Sequence, residues 1–359
     1  MGTIENINAL TNTSKEVRCF HNWHESALQV IGDEYHIIQD GILNKKDYSL
    51  VFETENGKRE IPIGVVEQIN IYSDAAVTPG ALRLIAKNNI RMGVFDKYGN
   101  RIACFVPEHF GHGSFDFLKQ ALFYQTGYRL EIARRMEIAG LHNIRAVLKY
   151  YNRYRQNVLR VPIDRMTKLM GDMEQAGSVQ RLMILEAEAR QMYYQAMNVI
   201  LYGTGFRFER RSKRPPLDAL NAMISFGNTL LYNAVLKAIW KTTLDPRIGI
   251  VHATTERDYS LNLDFADLFK PLIVDRVIFS MINLGQIKAD KDFCMEPSGA
   301  VFLNKDGRRK FIECFEEKLA TRLQVQGQTY TYRQLLMREV RAFQKYIRGE
   351  EDYKQYKYW

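Results

Sequence analysis

The sequence predicts an α+β protein, with a small N-terminal β-rich domain followed by a larger all-α domain. Three observations carry this. Up to about residue 106 the apolar runs are short and punctuated by turn formers. From residue 115 apolar positions recur at three- and four-residue steps, the helical spacing. Between them lies Pro107-Glu108-His109-Phe110-Gly111-His112-Gly113-Ser114, rich in turn formers. The boundaries read 1–106 with 1–33 unassigned, a linker at 107–114, and 115–359. At 359 residues the chain is long enough for two cores.

In the first part Tyr35-His36-Ile37-Ile38 is a short strand. Ser49–Thr54 and Arg59–Ile63 flank Glu55-Asn56-Gly57-Lys58, where Asn-Gly signals a hairpin because its residues tolerate positive φ. Val65–Ile71 continues the sheet. Pro79-Gly80 opens a short helix with Leu82, Leu84 and Ile85 as its apolar side chains, and a second hairpin turns at Tyr98-Gly99-Asn100. In the linker, His109 and His112 have only Glu108 close by, which is a poor zinc set.

The helical part begins with residues 115–155, where Arg129, Arg134, Arg135, Arg145, Lys149, Arg153 and Arg155 alternate with apolar positions. Tyr150, Tyr151 and Tyr154 interleave with them, so a solvated face and a phosphate-tracking surface are both readings. A helix over 179–202 lines up Leu182, Leu185, Ala189, Met192, Ala196 and Val199, with Glu186 on the shoulder of that stripe. Glu186 and Arg190 are spaced for an i,i+4 pair, which contributes only about 0.2–0.5 kcal/mol. Gly203-Thr204-Gly205 ends the helix as a cap. The loop Arg207-Phe208-Glu209-Arg210-Arg211-Ser212-Lys213-Arg214 is the densest basic run, and Arg207, Arg210, Arg211, Lys213 and Arg214 are candidate DNA contacts. A helix over 217–242 repeats Asn221, Ser225, Asn228 and Tyr232, a polar line that needs internal partners or orients a site. Two helices at about 308–323 and 331–348 precede a tail, 350–359, that docks or frays.

The net charge of +9 suits an anionic partner such as nucleic acid without identifying one. Cys19, Cys104, Cys294 and Cys314 form no CxxC, which speaks for reduced thiols and a cytoplasmic setting. No apolar run approaches the roughly 20 residues of a membrane span, and the N-terminus lacks the pattern of a secretory signal.

Chemistry concentrates in Gly249–Arg276. His252 is followed by Asp264 and Asp267, and three helical residues turn about 300°, so the two carboxylates adjoin on one helix face. Pro271 cannot bond the carbonyl of Asp267, which predicts a kink and a spare oxygen beside the acids. Oxygen donors with one imidazole suit Mg²⁺ or Mn²⁺. Acids early in a helix also complement its dipole with no metal involved. Asp275, eleven residues after Asp264, reads as a structural or DNA-contacting group.

This stretch and Leu185–Tyr194 together resemble the CRISPR-associated spacer-acquisition integrases, the family-one endonucleases of the adaptation complex. The residues that carry the likeness are Glu186 with Tyr193 and Tyr194, Gly249-Ile250-Val251-His252, and Asp264 with Asp267 ahead of Phe269-Lys270-Pro271. Arg214–Asn221 leading to Ser225-Phe226-Gly227-Asn228, and Val301–Asn304 ahead of Gly307-Arg308, also look like the family. Ala187 and Lys270 depart mildly from its pattern. Arg190 falls one position early, so no role is carried onto it.

The resemblance implies Glu186, His252 and Asp267 as metal ligands, with Asp264 beside them as a second acid or further ligand. It implies Mg²⁺- or Mn²⁺-dependent joining of DNA 3′-hydroxyls to a CRISPR repeat as new spacers. The expected partners are double-stranded DNA, a second copy of the chain, and a small ferredoxin-like CRISPR-associated subunit. A metal-dependent nuclease using water at the same site is the neighbouring reading, and a DNA-architectural subunit the more distant one.

Overall fold

The computed structural model describes residues 28–31, 34–95, 101–107, 114–252 and 259–358. The chain divides into two compact units, one through Phe110 and one from Gly111 onward. The expected 1–33 extension, the Tyr98-Gly99-Asn100 turn and the His109/His112 linker lie largely or wholly outside the described residues.

The first unit holds two sheets. Strands β1 (Leu28–Ile31), β2 (Glu34–Ile37), β3 (Ile42–Lys46), β4 (Ser49–Thr54), β5 (Gly57–Pro62), β6 (Gln68–Ile71) and β7 (Ala76–Val77) precede helix α1 (Pro79–Lys87). Strands β8 (Arg91–Phe95) and β9 (Arg101–Phe105) follow. One sheet runs β1-β2-β6-β8-β9 and the other β5-β4-β3-β7. The β4–β5 hairpin pairs Thr54 with Gly57, so its tip is Glu55-Asn56, one residue earlier than the Asn-Gly signal placed it. Gly57 takes φ 146°, a conformation glycine adopts without steric cost. In α1, Thr78 caps the N-terminus by accepting from the Ala81 amide, and Ala81, Leu84 and Ile85 are buried. Leu28, Ile37, Leu43, Leu50, Phe52 and Ile69 help build this unit's own core.

The second unit is mostly helical. Its helices are α2 (Ser114–Gln125), α3 (Tyr128–Asn152), α4 (Arg160–Glu174), α5 (Val179–Ile200), α6 (Ala219–Trp240), α7 (Leu261–Phe269) and α8 (Arg276–Asn283). After them come α9 (Lys305–Ala320) and α10 (Tyr332–Arg348). It is not all-α as expected. Strands β10 (Phe293–Met295) and β11 (Val301–Leu303) form one antiparallel ribbon, and β12 (Arg322–Val325) and β13 (Gln328–Thr331) another. Both ribbons are too short to leave a readable alternation in the sequence.

Between α7 and α8 the residues Pro271–Asp275 form a π turn, closed by the Asp275 amide donating to the Lys270 carbonyl at 3.0 Å. The proline that cannot close an α turn is the local cause. The Leu268 carbonyl accepts from Asn143 Nδ2 on α3 at 2.9 Å. The Asp267 carbonyl, expected as a spare oxygen beside the acids, instead lies against Gly140 of α3, where an added Cβ would meet it at 3.8 Å.

Tight helix contacts rest on small residues. A Cβ on Gly227 would lie 2.6 Å from Val274 Cγ1 and 2.8 Å from Phe311 Cζ, so α6, the π turn and α9 meet over a glycine. Asn304 caps α9 by accepting from the Gly307 amide at 3.0 Å, and a Cβ on Gly307 would strike the Asp292 carbonyl. The tail is docked. Tyr353 is fully buried and donates to Glu339 Oε1 at 2.6 Å, while Tyr356 stacks on Phe269 with ring centroids 5.6 Å apart. Among the described residues no helix is long and apolar enough to cross a membrane.

Candidate active site

The acids and histidine of the site come from three elements: α5, the turn before α7, and α7 itself. Ser178 starts α5 by accepting from the Arg181 amide. Leu182, Leu185, Ala189, Tyr193 and Ala196 fill its buried face, which leaves Glu186 and Arg190 half-buried on the shoulder. The turn carrying His252 depends on Gly249, where a Cβ would sit 2.6 Å from the His252 carbonyl and 2.8 Å from Ser260 Oγ. Arg129 of α3 clamps the same turn, its Nε donating to the Ile250 carbonyl at 2.8 Å.

Asp264 anchors this arrangement. Its side chain is fully buried and accepts from the amides of Ile250, Val251 (3.3 Å) and His252 (2.9 Å). Its Oδ1 also lies 2.7 Å from His252 Nδ1. A carboxylate can only accept here, so Nδ1 carries the proton and Nε2 is left to face Asp267 Oδ2 at 3.9 Å. Burial lowers the imidazole's proton affinity, but the Asp264 hydrogen bond and charge outweigh it, and His252 titrates above its ordinary value. With both oxygens taken by donors, Asp264 orients the histidine. Such a carboxylate fixes both the tautomer and the orientation of the imidazole.

Asp267 is buried and paired. Arg190 Nη2 is 3.0 Å from its Oδ1, and the Lys270 ammonium also bonds that oxygen. Burial alone would raise this carboxyl, but Arg190, Lys270 and His252 hold it well below the usual carboxylate range. Arg190 also pairs with Glu186, so one guanidinium bridges the two acids. As the side chains stand, no three His, Cys, Asp or Glu groups among the described residues are close enough together to hold a metal ion. The donor chemistry nonetheless fits a hard divalent cation. The residue types are those such a cation takes: the carboxylates of Glu186 and Asp267, bridged by Arg190, and an imidazole oriented by Asp264.

The expected i,i+4 pair of Glu186 with Arg190 forms, but sequence reasoning missed Glu137 and the second bond of Arg190, to Asp267. Glu137 is buried on α3 between Met136 and Gly140, a charged residue on an apolar stripe. Burial, then the charges of Glu186 and Asp267, push its carboxyl well above the ordinary value. The one available signal was an acid at a core position of the helical repeat. Asp275 is buried behind the site and pushed up to about 6 by desolvation, which makes it structural and no DNA contact.

The basic loop divides. Arg207, Arg210, Lys213 and Arg214 are exposed, but Arg211 turns inward. Its guanidinium donates to Asn221 Oδ1 at 2.7 Å and Ser225 Oγ at 3.0 Å, so it is engaged within the chain where the other four are exposed. The same bonds satisfy much of the polar line on α6. Tyr232, at the end of that line, places its ring 4.7 Å from the Lys270 ammonium, so the line reaches Asp267 through Lys270. Partial desolvation and then the charges of Arg211, Lys270 and Arg190 lower the proton affinity of Lys213. Several arginines of α3 and of the turn after it are clamps: Arg134 bonds the Ala176 carbonyl, Arg135 pairs with Asp352, and Arg155, beyond the helix, bonds the Ile200 carbonyl.

Comparison with known proteins identifies relatives of the whole chain. The family profile described as CRISPR associated protein Cas1 matches residues 35–317. A CRISPR-associated endonuclease Cas1 from Thermodesulfovibrio yellowstonii is 36% identical over 322 residues, covering 89% of this chain and 97% of the relative. The solved structure of a CAS1 protein from Thermotoga maritima superposes with a TM-score of 0.74 at 32% identity, over 90% of this chain and 99% of that one. A casposase bound to integration product shares the fold, with a TM-score of 0.63 at 20% identity and coverage of 88% and 96%. With its profile matched over most of its length and a close relative aligned almost end to end, the chain belongs to the CRISPR-associated protein Cas1 family.

Proposed function

We propose that this chain is a metal-dependent DNA strand-transfer enzyme of CRISPR adaptation. It joins the 3′-hydroxyls of short DNA fragments to the CRISPR repeat. The observation that carries the reading is the chain of contacts from Asp264 through His252 to Asp267, with Glu186 beside it. Glu186, His252 and Asp267 would hold Mg²⁺ or Mn²⁺. Bound there, the ion supplies Lewis acidity at a phosphoryl oxygen and lowers the pKa of an attacking hydroxyl.

The chain's own residues do the remainder. Asp264 keeps the Nδ1 proton on His252, so Nε2 stays a free donor pair. Arg207, Arg210, Lys213 and Arg214 offer exposed positive charge to the DNA backbone and fix its path. In this reading the chain works as a homodimer on double-stranded DNA, with a small ferredoxin-like CRISPR-associated subunit bridging dimers. The cell compartment is the cytoplasm.

Strand transfer and plain hydrolysis use one site and differ in the nucleophile. A strand-transfer enzyme must hold a DNA 3′-hydroxyl in line with the target phosphorus. A labelled duplex fragment, given the partner subunit, Mn²⁺ and a repeat-bearing plasmid, should become covalently joined to the plasmid. A fragment ending in 3′-dideoxynucleotides should bind and fail to join. If both fragments yield only nicked or shortened strands, water is the nucleophile and the protein is a nuclease.

A further inference from the structure

We infer that Arg190 is a built-in competitor of the metal ion, and that it sets the affinity of the site for a divalent cation. The inference rests on the metal reading above. Its basis is the placement of one guanidinium. Arg190 pairs with Glu186 on its own helix and lies 3.0 Å from Asp267 Oδ1 on α7, thereby joining two groups proposed as ligands. Its side chain is only 16% exposed, so it is held inside the site and does not sweep through solvent.

The guanidinium takes one oxygen of each carboxylate, Glu186 Oε1 and Asp267 Oδ1, and so lies between the groups that a shared divalent ion would also have to lie between. Like charges at a few ångströms in a partly buried site repel strongly, so the ion and Arg190 cannot share that space. Metal binding is therefore an exchange of one cation for another. Lys270 has a different part. It bonds Asp267 alone and packs against the Tyr232 ring, which leaves Glu186 to Arg190.

Two consequences follow. Arg190 keeps Glu186 and Asp267 together as a preformed pair whose mutual repulsion is cancelled. It also weakens metal binding by the fraction of time it occupies them. Where a competing arrangement leaves a site free about one-tenth of the time, apparent affinity falls about tenfold.

The test measures Mn²⁺ binding by the electron paramagnetic resonance signal of the free ion, with no DNA present. Arg190→Gln should bind Mn²⁺ about tenfold more tightly than wild type. Arg190→Lys keeps a cation and should stay within about threefold of wild type on the same reasoning. In metal-free buffer Arg190→Gln should melt at a lower temperature than wild type, and Mn²⁺ should raise its midpoint by more than it raises that of wild type. This melting readout also serves if the variant is poorly folded without metal.

Asp267→Asn and Glu186→Gln are the arms that separate the two readings. If they lose Mn²⁺ while Arg190→Gln gains nothing in either readout, the competitor role is overturned and the metal site stands. If they bind as wild type does, the metal reading itself fails and this inference with it.

Discussion

Asp264→Asn is the most informative single change, because it keeps the shape of the group while altering its hydrogen-bonding capacity. In the native site the two carboxylate oxygens receive four donors: the amides of Ile250, Val251 and His252, and the His252 ring. An asparagine offers one oxygen and one NH₂. If the NH₂ replaces Oδ2, it faces the Ile250 and Val251 amides; if it replaces Oδ1, it faces both His252 donors. Either orientation leaves two buried donors opposed by a third. At about 1–3 kcal/mol for each unsatisfied buried group, the expected loss is about 2–6 kcal/mol, a large part of a typical domain's stability. Loss of an orienting carboxylate also costs about 10–100-fold in metal affinity or activity. The assays are urea unfolding of the purified protein and Mn²⁺ titration of the variant. A midpoint and an affinity both equal to wild type would refute the role given to Asp264.

Three further changes probe the basic loop and the contacts of the tail. Arg207→Ala with Arg210→Ala should leave stability unchanged and make the log–log salt dependence of DNA binding shallower by about 1.8, at about 0.9 for each phosphate contact. Arg211→Ala should instead lower the melting temperature, since its guanidinium serves Asn221 and Ser225; an unchanged melting temperature would return it to the DNA face. Glu339 is buried and desolvation pushes its carboxyl up to about 7, despite hydrogen bonds from Tyr353 and Tyr356. The folded form then holds its proton more tightly than the unfolded form, so stability is full below about pH 4 and falls as pH rises toward 7. Glu339→Gln should flatten that part of the stability–pH curve, and a variant curve parallel to wild type would show that Glu339 does not titrate there.

The α+β division was legible because the two periodicities change at the turn-rich segment around residue 110. The helix of Glu186 was legible from its stripe, and the pairing of Asp264 with Asp267 from their spacing. What spacing could not convey was which oxygen meets which donor. Asp264 and Asp267 look alike in sequence, yet one is consumed by the backbone of the His252 turn and the other by side-chain cations. Arg211 looked like its neighbours until Asn221 was seen to claim it. The Glu186–Arg190 pair was legible from its i,i+4 spacing, but Glu137 and the bond from Arg190 to Asp267 depend on packing between helices, which has no fixed sequence separation. The ribbon strands β10–β13 are three or four residues each, below the length at which alternation is informative.

The docked tail has a consequence for the timing of synthesis. Tyr356 stacks on Phe269, and the Tyr358 amide donates to Asn143 Oδ1 at 2.8 Å while Asn143 itself holds the Leu268 carbonyl. Asn143 and the helix bearing Asp267 thus rest on residues translated long after them. A growing chain folds from its N-terminal side as it emerges. One that has just completed α7 has every proposed ligand but lacks the brace behind that helix. Maturation of the site therefore waits for the tail, and a ribosome-bound intermediate carries the acids without the support that fixes them.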